Sequence, residues 1–105
     1  MLEISEVNQI AALIKSKVEK NWSVPAGIRD AGQQIVTIRI RLGRDGAVQS
    51  ADILDDNYAN DANFRTMAES ARRAVLKASP FSALKRFSDD YDQWRDVTMI
   101  FRPPV

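Results

Sequence analysis

One stretch, Asp61 to Phe81, limits the folds open to this chain more than any other. Phe64, Met67, Ala68, Ala71, Ala74, Val75 and Ala78 recur at spacings of three and four, which makes one stripe at the helical period. Arg65, Glu69, Arg72, Arg73 and Lys77 fall mostly on the other side. Glu69 stands four residues before Arg73, the favourable order for a helical ion pair. Asn60 and Asp61 are suited to cap the start and meet the positive end of the dipole. Pro80 cannot continue the helix and pushes Ser79 out of helical geometry. The stripe is mostly alanine, and small side chains predict a close seat on a sheet rather than a lock between bulky helices. Phe64 is the large anchor at one end, and Phe81 is its expected counterpart past the other.

The flanking pattern supplies the partners of that helix. Val7, Ile10, Ala11, Ile14, Val18 and Trp22 predict a first helix from about Ser5 to Asn21, with Ser5 as N-cap. Pro25, Gly27 and Gly32 then mark a loop. From Gln34 to Leu42 the period becomes two: Val36, Ile38, Ile40 and Leu42 face one way, Thr37, Arg39 and Arg41 the other. Gly43-Arg44-Asp45-Gly46 predicts a hairpin turn. The return strand, Ala47 to Leu54, changes apolar phase between Val48 and Ala51, which predicts a β-bulge near Gln49 or Ser50. A polar loop, Asp55 to Asn60, leads into the long helix. A connector with Lys85, Arg86, Asp89 and Asp90 follows Phe81. Tyr91 to Phe101 closes the fold, with Val97, Met99 and Phe101 alternating against Asp96, Thr98 and Arg102, and Ile100 interrupting the polar face.

The expected order is α-β-β-α-β, in a single domain spanning residues 1–105. Strand three has two places to go, and the better one lies antiparallel beside strand one. The fold class is then α+β: a two-layer domain with a three-stranded antiparallel sheet in order 2-1-3 and two helices on one face. Strand three becomes an edge with unpaired backbone groups from Arg95 to Arg102. Ile35 and Ile100 both fall on the outer sheet face beside that edge. They are either incidental surface residues or the apolar shoulder that a partner strand uses. The candidate partner-binding residues are Arg95, Asp96, Val97, Thr98, Met99, Ile100, Phe101, Arg102 and Ile35.

Composition removes several kinds of chemistry. The chain has no cysteine and no histidine, so thiol chemistry and the commonest general base are unavailable. With 15 Lys+Arg against 14 Asp+Glu, overall charge makes no case for nucleic-acid binding. Asp52, Asp55, Asp56 and Asp61 surround one loop but lack the spacing of a calcium loop, and read as a solvated loop and helix cap. Ser82-Ala83-Leu84-Lys85 matches Ser-x-x-Lys, yet the companion motifs of such hydrolases are absent. Arg39, Arg41 and Arg44 are placed to meet phosphate, but no aromatic residue alternates with them as a stacking platform. Trp22, Tyr91 and Trp94 read as core or rim residues. No catalytic residue, metal ligand or cofactor site is expected. No run is long and apolar enough for a transmembrane helix or secretion signal, which fits a cytosolic protein or a domain excised from an anchored one.

A set of local motifs then resembles a known family. These are Trp22-x-x-Pro25 after the first helix, Asp45-Gly46 at the hairpin and Ala68-Glu69-Ser70-Ala71-Arg72-Arg73-Ala74-Val75 in the second helix. Ser79-Pro80-Phe81, Tyr91-Asp92-x-Trp94-Arg95-Asp96-Val97 and Phe101-x-Pro103 complete the set. In this order, from about Val7 to Pro103, they resemble the TolA C-terminal domain within the TonB/TolA C-terminal superfamily, most of all its alphaproteobacterial forms. Asn21 and Ala78 stand where many such domains carry cysteines, and Asp55-Asp56-Asn57 replaces a common Ser-Ser-Gly. The Tyr-Pro of TonB relatives is absent, which favours TolA.

The resemblance implies a non-enzymatic periplasmic domain of a protein anchored in the inner membrane by an N-terminal helix. It implies engagement of the Tol-Pal machinery through the N-terminal segment of a TolB-like protein, in support of outer-membrane integrity and cell division. Colicins and filamentous-phage coat proteins exploit related domains. Two alternatives stay open: a TonB-like coupler that binds outer-membrane receptors, and a small RNA-binding α+β domain that uses Arg39 and Arg41.

Overall fold

A computed structural model describes all 105 residues. The first helix, α1, spans Ile4–Lys20, and the alternating strand β1 spans Val36–Leu42. The hairpin returns as β2, Val48–Ile53, and the alanine-striped helix α2 spans Ala62–Ala78. A 3-10 segment, Ser82–Asp90, leads to a four-residue helix α3, Tyr91–Trp94, and to β3, Asp96–Phe101. The sheet is antiparallel in the order β2-β1-β3, as the sequence pattern predicts.

Each apolar stripe goes where its period sends it. Ile10, Ile14 and Val18 of α1 and seven apolar residues of α2 are buried against Val36, Ile38, Ile40 and Leu42. Phe64 and Phe81 are both in the core. Asp61 is the N-cap of α2, and its carboxylate accepts from the Phe64 N–H at 3.0 Å. Ser79 leaves helical geometry at φ −65, ψ 141, just before Pro80. The bulge is real: Arg41 pairs with Ser50 and Leu42 with Val48, so Gln49 is the extra residue. Gly46 has φ +83, and a Cβ there would clash with the Phe81 carbonyl oxygen. The hairpin tip therefore needs glycine twice over, for its turn and for its seat on Phe81, whose N–H donates to the Gly46 carbonyl at 2.8 Å.

Four expectations are corrected. Helix α1 begins one residue early and is capped at Glu3, not Ser5: the Glu6 carboxylate accepts from the Glu3 N–H at 3.0 Å. Glu69 pairs with Arg72 at 3.8 Å rather than with Arg73, because the Tyr58 hydroxyl (3.3 Å) also draws its carboxylate. The connector after Phe81 is 3-10 helix. Tyr91–Trp94 is helical where an extended chain was expected, which adds a short third helix to the expected two. Its aromatics explain the turn: the Tyr91 hydroxyl donates to the Leu42 carbonyl (2.6 Å) and the Trp94 indole to the Phe87 carbonyl (2.8 Å), which draws both rings inward.

Candidate functional site

The two outer strands of this sheet present very different edges. On the β2 side, helix α2 supplies side chains to the backbone. Arg72 Nε donates to the Ala51 carbonyl at 2.9 Å, and the Ser79 hydroxyl accepts from the Val48 N–H at 2.9 Å. On the β3 side nothing comparable exists. The Leu42 N–H donates to the Arg95 carbonyl at 2.8 Å, which fixes the alternation of the ladder. Val97, Met99 and Phe101 then turn their backbone groups toward Ile40, Ile38 and Val36. Asp96, Thr98 and Ile100 turn theirs outward, where they meet no protein partner.

Beside this open edge runs an apolar cleft between α1 and β3. It has a volume of about 180 Å³ and is lined by Val7, Ile10, Ala11 and Ile14 of the helix and Val97 and Met99 of the strand, among others. It continues past Ala12 and Lys15 to Ile100 as a shallower trough. Val7 remains 49% exposed on its wall. The sequence pattern identifies these residues as helix and strand faces but cannot show that they diverge into a cleft, because that depends on how α1 docks.

The candidate residues fall into distinct groups. Arg95 precedes β3 and already uses its carbonyl. Thr98 and Ile100 offer backbone outward, and Ile100 is 54% exposed. Val97 and Met99 offer half-buried side chains to the cleft. Phe101 is buried in the core, so its ring is out of reach of a partner. Arg102 lies just past the strand. Ile35 lies just before β1, 39% exposed, and the register sets it diagonally from Ile100 on the outer face.

Asp96 has a further task. Its carboxylate receives Arg39 Nε at 3.0 Å and Nη2 at 2.6 Å, a two-point clamp across the β1–β3 pair. Those hydrogen bonds hold its pKa below the usual carboxylate range; desolvation opposes them, and the charges of Arg39, Arg41 and Arg95 add to them. Arg39 is thus paired across the sheet, although its side chain stays about two-fifths exposed.

A family model described as TonB C terminal matches residues 8–99. The chain belongs to the TonB C-terminal family. Domains of this family are non-enzymatic interaction domains. The fold is also similar to that in "Solution NMR Structure of TolAIII Bound to a Peptide Derived from the N-terminus of TolB". The similarity has a TM-score of 0.65 at 23% identity, over 90% of this chain and 73% of that one. No curated protein sequence matches it. The family model thus gives the chain its family, and the structural likeness shows that it shares the fold of that domain.

Proposed function

We propose that this TonB C-terminal family member is a periplasmic TolA-type domain that takes an extended segment of a TolB-like protein as a fourth strand on β3. The observation that carries this reading is the unequal treatment of the two edges: β2 is closed by α2, while β3 is left open beside an apolar cleft. Each added main-chain hydrogen bond contributes roughly 0.5–1.5 kcal/mol net. Ordering the peptide offsets part of that, so an isolated peptide binds at about micromolar affinity. Its side chains alternate: one set drops into the cleft beside Val97 and Met99, the other lies on the outer face by Ile100 and Ile35.

In this reading the domain joins the Tol-Pal system and supports outer-membrane integrity and cell division. A segment N-terminal to these residues anchors the protein in the inner membrane. Colicins and filamentous-phage coat proteins would take the same edge. A TonB-like role is the second reading, favoured by the description of the matching family model; there the added strand comes from the N-terminal segment of an outer-membrane receptor.

The test is NMR titration with the N-terminal segment of the TolB-like protein of the same organism, beside a receptor-derived segment. Amide shifts should concentrate on Arg95 to Arg102 for the TolB-like peptide and stay small for the other. The reverse preference selects the TonB-like role. Shifts centred on β2 or on the polar face of α2 refute strand addition at β3.

A further inference from the structure

The outer face of the sheet, away from the helices, has a polar cavity of about 260 Å³ at its hairpin end. Arg39 and Arg41 of β1, the bulged Gln49, Tyr91, Arg95 and Asp96 line it. Arg44 of the hairpin turn lies over the ring of Tyr91, one of these lining residues, 4.6 Å from the centroid. The bond from Tyr91 to the Leu42 carbonyl fixes that ring in place.

One carboxylate already occupies part of the cavity, and it belongs to the protein. Asp96 takes the two-point clamp from Arg39, while Arg41 Nε approaches the same carboxylate only to 4.0 Å. Arg95 stands 3.7 Å from Asp92, which is almost fully exposed. Arg44 has no acid within ion-pair distance. The other nearby acid in the turn, Asp45, accepts from the Ala47 N–H instead. Asp52 of β2 acts on Arg39 through space. Arg41 and Arg95, which line the cavity, and Arg44, which lies over the Tyr91 ring, are therefore left without a hydrogen-bonded acceptor.

We propose that this cavity is a docking site for an acidic side chain of a protein partner, an aspartate or glutamate received by Arg41 and Arg95 with Arg44 over the Tyr91 ring. The Arg39–Asp96 clamp shows the geometry within the same cavity: a planar carboxylate meets a planar fork at two points. The volume admits one such side chain and is too small for a helix. Arg95 and Asp96 also begin the β3 edge, so a segment passing along that edge reaches the cavity. The site uses side chains of the outer face and does not require strand addition.

The experiment follows arginine Nε–Hε and backbone amide signals of the whole protein during titration with a capped tetraglutamate peptide. The signals of Arg41, Arg44 and Arg95 should move, those of Thr98 and Ile100 should not, and added salt should weaken the response. The double variant Arg41→Gln/Arg95→Gln should bind at least about tenfold more weakly, while Arg86→Gln, at an exposed arginine that does not line the cavity, should not. Arg44→Gln, in the exposed turn, weakens binding through a residue that makes no hydrogen bond in the fold. Equal movement of all basic residues, or unchanged binding by the double variant, overturns the proposal. Inorganic phosphate and phosphatidylglycerol vesicles are run in parallel at matched charge. A tighter response to either overturns the carboxylate assignment.

Discussion

The two edges of this sheet have the same backbone chemistry and opposite fates. At β2, a helix that the chain must in any case lay over the sheet carries Arg72 and ends at Ser79, and both reach back to the strand. At β3, α1 stands off and leaves a cleft. An open edge is a hazard for a soluble domain, and proteins usually blunt it. Here one edge is blunted and the other is not. The contrast teaches that openness at β3 is not a general looseness of the sheet, because the same fold closes the equivalent groups elsewhere.

The comparison breaks most easily on the closed side. Phe64 is the buried anchor of α2, and Phe64→Ala should cost roughly 3–5 kcal/mol. Ala71→Leu should cost about 1–3 kcal/mol, because the alanine stripe leaves no room between α2 and the sheet. Chemical denaturation measures both, and midpoints that barely move would mean that α2 does not close this side.

A pair of prolines sharpens the contrast within β3 itself. Met99 turns its N–H toward Ile38, so Met99→Pro orphans a ladder acceptor and should cost about 1–3 kcal/mol. Thr98 turns its N–H outward, so Thr98→Pro should cost less stability and remove partner binding. Equal stability losses would show that the two N–H groups do not differ in direction. At β2, Arg72→Ala removes the bond to the Ala51 carbonyl. Because that side chain is 41% exposed, the loss should be only about 1 kcal/mol, seen as faster amide exchange near β2.

Much of this was readable before any coordinates. The period-two run of β1, the Asp45-Gly46 turn, the slip in phase that marks a bulge at Gln49 or Ser50 and the Asp61 and Pro80 limits of α2 are all local signals. The order 2-1-3 follows from them through general rules of chain connection. What was not readable depends on contacts distant in sequence. Arg72 sits on a wet helix face by its period, yet it bonds to a residue 21 positions earlier. Ser70 looks like an incidental polar break in an alanine stripe, yet its buried hydroxyl accepts the Trp22 indole N–H at 2.8 Å. Tyr91–Trp94 has no periodicity to declare a helix. The open edge was therefore legible from topology, while the closure of its counterpart and the cleft of α1 were not.

The smallest expected effect concerns the clamp that ties the open strand to β1. The hydrogen bonds from Arg39 hold the Asp96 carboxyl below its usual range, so its pKa is lower folded than unfolded. Around and below the unfolded value of about 3.9 the unfolded chain binds more protons, and stability rises with pH there. The contribution of the clamp is complete above that value and is lost as pH falls through the folded pKa. Both side chains are about two-fifths exposed, so water and salt screen the interaction and the effect is modest. The check compares denaturation midpoints of the protein and Asp96→Asn from about pH 7 to about pH 2. The gap should be widest at neutral pH and close in acid. Amide exchange at β3 should quicken in acid, relative to the reference rates, more than exchange at β2, whose edge bonds from Arg72 and to Ser79 are made to uncharged acceptors. A gap that stays constant with pH would mean that Asp96 holds β3 by shape and hydrogen bonding alone, and that the open strand needs no charge to stay in register.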